Sequence, residues 1–523
     1  MRSTDVGQDV QDNVQASVQI TKTVRWDDNG TFFIDPRAHG EFGLSYGDLA
    51  YMVNRHRQTM VKNYDKLYQY YRGNHEAIIK KPRKKGNNPD NRIIMNYPKQ
   101  IVKAYVGYFA GVAPSFSIQK DGDVGEDLYN SANKELDYFN NNNNINHFFT
   151  QQAKNVDIFG RSLALVYQDE IGDTRLSAFD PRRGFIVYSD DVSEQPVFGV
   201  RYKRIDNRGA VIADVYAIDN SILVDKKGAR VKTATNYHKF DVTATMDFAS
   251  DELIEFEADL VGYDTLPMVE FNADDERMGL YEDVITVFDA IDSAISEKKN
   301  DVDYFGDVIL SLMNMNFNEE VLNQLRDLRI LSARNTSDKP STAQFLDKPT
   351  ADQTQENLIN RLISSIYDIT GVVNLNDKDF TNAASGQALK QRLQGMRQNA
   401  DTKGSSFERS FRQIYTALFT GLLMPDVIDD IVIRFKKNEP LDLLDLSQSL
   451  VFLGKAVGFG LVSQETALST IPVIEDARDE MEKVKAERAM NEVTLETVQT
   501  SENSATDNGT SDNQDTSINA NKL

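Results

Sequence analysis

Apolar stripes of unusual length between Gly279 and Leu423 constrain this chain more than any other feature. From Gly279 to Tyr304, Val284, Val287, Phe288, Ile291 and Ile295 recur at helical spacing, and Asp289, Asp292, Glu297, Lys298 and Lys299 form a charged opposite face. After an insert, Leu358, Leu362, Ile366 and Ile369 line up on a second helix that starts near Ala351 and closes at Thr370-Gly371. A polar loop then runs to Ala384. A third stripe, Leu389, Leu393, Met396, Ala400, Phe407, Phe411, Ile414, Leu418 and Leu422, predicts a helix from Ser385 to Leu423. At the helical rise per residue the first and third would span roughly 39 Å and 58 Å. These are struts, longer than the usual three turns. Gly404-Ser405-Ser406 predicts a bend or short unwinding of the third helix between Asn399 and Phe407.

The remainder reads as an α+β chain with helix predominating. Residues 1–40 are polar without clear periodicity and read as a flexible arm. Ser45 with Asp48 resembles a capping box for a helix reaching Tyr71, which Gly73 stops. Lys80, Lys81, Arg83, Lys84 and Lys85 make a basic loop, with no aromatic between the cations to stack on bases. It reads as a solvated loop before a phosphate-binding patch. Asn91 to Met95 reads as a short strand, followed by a helix with Pro98 in its first turn. Helices follow near 126–139 and 145–159. From Ser162 to about Phe271 the period falls to two, giving an antiparallel meander with hairpin turns at Asp206–Gly209 and Asp225–Gly228.

The insert between the first two long helices holds strands at Val308–Leu312 and Arg329–Leu331, a helix at Asn318–Leu328, and a further strand at Gln344–Leu346. So small a unit cannot bury a core alone, which hints at completion by another copy. Beyond the third helix come a strand at Ile431–Phe435, helices at 441–457 and 463–470, and an amphipathic stretch from Ile474 to Val498 whose heptad seam Arg488 interrupts. The Ser/Thr/Asn/Asp tail after Thr500 is too polar to repay ordering.

Chemistry is sparse. Leu453-Gly454-Lys455 lacks the loop of a phosphate-binding motif, and Gly458-Phe459-Gly460 lacks the third glycine of a dinucleotide fingerprint. The five histidines never fall at zinc-helix spacing, and Asp121-Gly122-Asp123 lacks the closing residues of a calcium loop. Asp301 and Asp303 point apart on a helix. No catalytic, cofactor or metal set emerges, and nothing argues positively for an enzyme. With no Cys among 523 residues there are no thiolate sites or disulfides. No apolar run approaches a membrane span, and the N-terminus carries no signal-peptide pattern. A net charge of -22 argues against tight DNA binding by counterion release.

Several segments, in order, resemble the portal proteins of tailed double-stranded-DNA bacteriophages, of the type found in long-tailed phages of Gram-positive hosts. They are Tyr70-Tyr71-Arg72-Gly73-Asn74-His75, Asn91 to Pro98, Gly107 to Pro114, Ile369-Thr370-Gly371-Val372 and Ser385 to Lys390. Ala113 departs from the pattern, standing where a second Pro is common. The resemblance implies a homododecameric ring at one capsid vertex of the virion, made in the host cytoplasm. Its channel would carry double-stranded DNA during packaging and ejection.

By that resemblance, residues 41–273 form the wing, 274–304 and 351–372 the two stem helices, and 305–350 the clip. Residues 373–384 are the tunnel loop, 385–440 the long kinked helix with a strand returning to the wing, 441–498 the crown, and 499–523 the tail. Stem packing would fall to Val284, Val287, Ile291, Ile295, Leu358, Leu362 and Ile366. Asn374, Leu375, Asn376, Asp377, Lys378, Asp379 and Thr381 would face DNA. Implied partners are the terminase motor, the major capsid and scaffolding proteins, and head-completion or adaptor proteins, with no membrane. Two other classes fit the same residues: a virion adaptor without a channel, and a metal-dependent nucleic-acid enzyme.

Overall fold

The computed structural model describes residues 24–34, 46–85, 89–119, 125–204, 211–217, 223–224, 230–231, 237–241, 255–259, 263, 265–305, 310–313, 342–345, 352–374, 391–437, 443–471, 474, 480–481 and 483–488. In chain order it opens with β1 (Val24–Trp26), β2 (Phe32–Ile34), α1 (Tyr46–Gln58), α2 (Met60–Tyr71), α3 (Glu76–Ile79), α4 (Tyr97–Phe109) and β3 (Ser115–Ile118). Helices α5 (Glu126–Asn142) and α6 (Ile145–Phe159) lead into β4 (Arg161–Gln168), β5 (Thr174–Phe179), β6 (Gly184–Ser189), β7 (Pro196–Arg204) and β8 (Val211–Ala217). After β9 (Leu223–Val224) and β10 (Arg230–Val231) come β11 (Tyr237–Asp241), β12 (Glu255–Asp259) and β13 (Met268–Asn272). The long helices are α7 (Ile285–Phe305), α8 (Asp352–Thr370) and α9 (Gln394–Gly421), with β14 (Leu310–Met313) and β15 (Thr342–Phe345) between the first two and β16 (Ile431–Arg434) after the third. Residues 440–523 cluster apart from the rest, and within that unit lie α10 (Leu443–Gly458) and α11 (Gln464–Thr470).

Alternating side chains build one large sheet, ordered β1-β2-β6-β7-β8-β11-β12 and antiparallel apart from β2 against β6. Its inner face, with Phe32, Phe185, Val187, Phe198, Val200 and Val215, packs on Leu49, Met52 and Val53 of α1. Burial in that core pulls the His56 imidazole down to about 3, and its Nδ1 meets the Tyr202 hydroxyl at 2.8 Å. A second sheet, β13-β4-β5, packs one face through Leu163, Leu165 and Met268 against Ile186 and Tyr216 of the large sheet, and the other on a larger helical core built from α2, α4, α5, α6, α7 and α9. Phe109, Phe148, Phe149, Phe271, Phe407 and Phe411 interlock at its centre, with ring centroids 5.0 to 6.2 Å apart.

Several elements depart from the sequence reading. The expected flexible arm contains β1 and β2. Phe32 is fully buried and pairs in register with Val187, so this part of the arm completes the sheet. The helix expected to run to Tyr71 breaks at Thr59, and Ser45 lies outside the described residues. Strands β3, β11 and β13 lacked a distinct signal, and β3 pairs with β16, the expected return strand. Helix α9 runs unbroken through Gly404-Ser405-Ser406, so the expected unwinding is absent. Lys403, Gly404 and Phe407 are all buried here, and that packing overrides the low helix propensity of the Gly-Ser run. The insert shows β14 paired with β15. Its expected helix at 318–328 and strand at 329–331 lie outside the described residues, as do the expected turns at 206–209 and 225–228 and the tail 499–523.

Candidate functional site

Helix α7 packs in two directions. Ile285, Phe288 and Ile291, with Val284 in the turn before the helix, are buried in the helical core. Val287 and Ile295 pack half-buried against it. On α8, Ile366 is buried and Leu362 half-buried, but Leu358 is 52% exposed and Ile369 55% exposed. Ile366 belongs to both the expected and the observed inward stripe, which also takes in Ile359, Ile363 and Thr370. Two stripes offset by one residue both have helical spacing, so spacing alone could not choose between them. Helices α7 and α8 are tied by Lys298 to Glu356 at 2.5 Å and by the Gln355 amide to Asp301 at 3.5 Å. Asp303 turns the other way, accepting from the Asn91 side chain at 2.7 Å, so the two aspartates do not converge.

The charged face expected on α7 is partly buried. Asp292, Ser296 and Asn300 sit one turn apart, each at most 5% exposed. They accept the backbone amides of Met95 at 2.7 Å, Ile93 at 2.9 Å and Asn91 at 2.6 Å. The expected strand is therefore an extended segment whose alternate amides bond to helix side chains instead of another strand. The fit is metric. Two residues of extended chain advance roughly 6.6 Å, and four residues of helix roughly 6.0 Å. Nearby, Lys81 reaches Glu297 at 3.2 Å and Lys84 bonds its other carboxylate oxygen. Lys84 above all, with Asn300 and Lys81, holds the Glu297 carboxyl down to about 2. Lys80 pairs with Glu76. Much of the basic loop thus binds acids of its own chain.

Helix α8 ends on α9. Gly371 takes φ +66, Val372 is buried, and the Asn399 amide donates to the Thr370 carbonyl at 3.4 Å. The expected DNA-facing loop leaves from here. Asn374 is described, whereas Leu375, Asn376, Asp377, Lys378, Asp379 and Thr381 lie outside the described residues. Deeper in α9, Lys403 is fully buried. Its ammonium lies 2.6 Å from Asp157 of α6 and 4.7 to 5.5 Å from the ring centroids of Phe109, Tyr105 and Phe407. Sequence reasoning did not single it out, because Asp401-Thr402-Lys403 reads as a polar face.

Helices α7 and α8 flank residues 306–351 in sequence, and α8 ends where Asn399 of α9 meets the Thr370 carbonyl. A family model described as phage portal protein, SPP1 Gp6-like, matches residues 52–494. The chain belongs to that family. It is also 22% identical over 390 residues to the portal protein of Bacillus phage SPP1, covering 70% of this chain and 72% of that one. The family assigns the chain a structural role as a phage portal protein and makes it a component of the virion capsid. Among the described residues no helix is long and apolar enough to cross a membrane.

Proposed function

We propose that this chain forms a ring, a dodecamer, around an axial channel at one capsid vertex. Double-stranded DNA enters through it under the terminase motor and later leaves, and head-completion and tail proteins assemble on it. The observation that carries this reading is the family match across residues 52–494. The structure adds support. Val302 on α7, with Leu358 and Ile369 on α8, stands 52% to 57% exposed, the kind of surface a neighbouring copy would cover. In this reading α7 and α8 are the stem, residues 305–350 the clip, 373–384 the tunnel loop and 441–498 the crown.

Charge fits passage without adhesion. Twelve chains of net charge -22 give about -264 before counterions, which repels phosphate from the walls. In the tunnel loop Lys378 sits between Asp377 and Asp379, so its pull on DNA is partly cancelled. Negative-stain microscopy of the purified chain tests the proposal. Rings with an open axial pore are expected. A ring without a pore would favour a virion adaptor, and metal-dependent nuclease activity in Mg²⁺ or Mn²⁺ would favour an enzyme. The tunnel loop has its own test. Asp377→Lys with Asp379→Lys moves its charge from -1 to +3, so rings should form while packaging stalls or becomes sharply salt-dependent. Normal packaging in that variant would remove the loop from the DNA path.

A further inference from the structure

Just after α3, five cations fall within six residues: Lys80, Lys81, Arg83, Lys84 and Lys85. Every residue from Lys80 to Lys85 is exposed. On a chain of net charge -22 this is a local reversal of sign. The loop is tied down at one place. Lys81 and Lys84 each take one oxygen of the Glu297 carboxylate on α7. A single carboxylate cancels only one of those two charges. Lys80 pairs with Glu76, and Arg83 has no ion-pair partner among the described residues. The loop therefore carries positive charge that these acids do not cancel.

The residue types choose the occupant. Lysine is depleted at protein–protein interfaces, which argues against an acidic protein surface. No aromatic side chain lies among the cations to stack on an unpaired base. What remains is a row of point charges on long stems, suited to the phosphates of a double-stranded backbone and blind to its sequence. Glu297 meets these lysines much as such a phosphate would, with one anionic oxygen for each. Its side chain is 39% exposed, so an incoming anion can reach the same ammonium groups. Asn300 also donates to Glu297, at 3.2 Å, so the carboxylate keeps a partner when the lysines leave.

We propose that the Lys80–Lys85 loop is a contact for the phosphates of duplex DNA, and that Glu297 is its built-in competitor, holding Lys81 and Lys84 until a phosphate replaces it. The choice of duplex DNA rests on the portal reading, whereas the loop and its competitor rest on the charges alone. A phosphate gains two lysines only by displacing a carboxylate that both already touch. The loop therefore meets DNA without gripping it, and binding is strongest at low salt.

Fluorescence anisotropy of a short labelled duplex with the purified full-length protein, from roughly 50 to 200 mM salt, reads the contact. Arg83→Ala should weaken binding and lower the slope of log affinity against log salt by about 0.9, the share of one phosphate. Lys134→Ala, which removes an exposed lysine of α5, should change neither. Glu297→Gln should tighten binding roughly threefold by removing the competitor. That gain should vanish when Lys81 and Lys84 are both alanine, a coupling that a general loss of negative charge would not show. No binding by the wild type at about 50 mM salt overturns the proposal. So does an Arg83→Ala variant that binds as wild type, or a Glu297→Gln gain that survives without the two lysines. Loop variants that lose rings while keeping duplex affinity would give the loop to an acidic neighbour instead, and the proposal falls. Ring formation is read separately by microscopy, so rings with an open pore alongside a negative binding result strike the loop and spare the portal reading.

Discussion

The Lys403 ammonium lies 2.6 Å from Asp157 Oδ1, and neither side chain is more than 2% exposed. Ala153 supplies a carbonyl to the ammonium at 3.2 Å, while Asp157 Oδ2 has no hydrogen-bond partner. A buried pair left incomplete in this way costs desolvation that its attraction does not fully return. Asp157→Leu or Lys403→Met alone should therefore destabilise the fold by roughly 3–5 kcal/mol, by stranding one charge. The double variant should recover most of that loss, ending near wild type or above it. Chemical denaturation of the three variants checks this, and additive losses would contradict it.

The same pair has a pH signature. Burial raises the Asp157 carboxyl to about 6 against the pull of Lys403, and burial likewise draws Lys403 downward. A carboxyl raised by folding contributes stability below its unfolded value, and that contribution is lost as pH climbs through its folded value. Between roughly pH 4 and 6 this site should add stability as acid is added, opposite to a surface-paired carboxylate. Subtracting the pH profile of Asp157→Asn from that of wild type isolates the slope.

Gly160 caps α6 at φ +82, and a Cβ there would lie 2.0 Å from the carbonyl oxygen of Arg277. Gly279 closes in from the other side, where a Cβ would lie 2.8 Å from the carbonyl oxygen of Ile158. Here the chain leading to α7 is pressed onto the end of α6, and Leu280 donates to the Asp157 carbonyl at 2.9 Å. Gly160→Ala should cost roughly 1–2 kcal/mol for the left-handed backbone alone, with the clash added. Thermal unfolding of that variant measures it.

Ile291 and Leu358 separate folding from assembly. Ile291 is fully buried within one chain, so Ile291→Asp should cost several kcal/mol and lower the unfolding midpoint. Leu358 is half in water, so Leu358→Asp should leave chain stability within about 0.5 kcal/mol. In the ring reading Leu358→Asp should still reduce assembly, which sedimentation would show as smaller species.

How far the residues announced the fold depended on which signal they carried. The long helices were legible because a stripe repeated over many turns is hard to mistake. Which stripe of α8 faced inward was not legible, since Leu358 and Ile359 start equally good series. The strands at Phe32–Ile34 and Ser115–Ile118 are too short for a period to register, and distant segments supply their partners. The segment at 91–95 has an extended pattern but pairs with side chains, which no periodicity reports. Asp292, Lys403 and His75 read as surface charges or an ordinary histidine because burial of a polar residue depends on a partner far away in sequence. The basic loop's main partner, Glu297, is more than two hundred residues distant.

The bonding of Asn91, Ile93 and Met95 to Asn300, Ser296 and Asp292 also governs how these parts can slide. A one-residue shift would turn the amides away from the helix, so the nearest alternative fit lies two residues of chain, or one helical turn, further on. The two repeats differ by roughly 0.6 Å per rung, so a longer rack would drift out of mesh. Held by three rungs, the segment would act like a pawl on a toothed bar if it were pushed along α7. It would rest in a notch or lift clear of it, and a force too small to lift it would produce no creep.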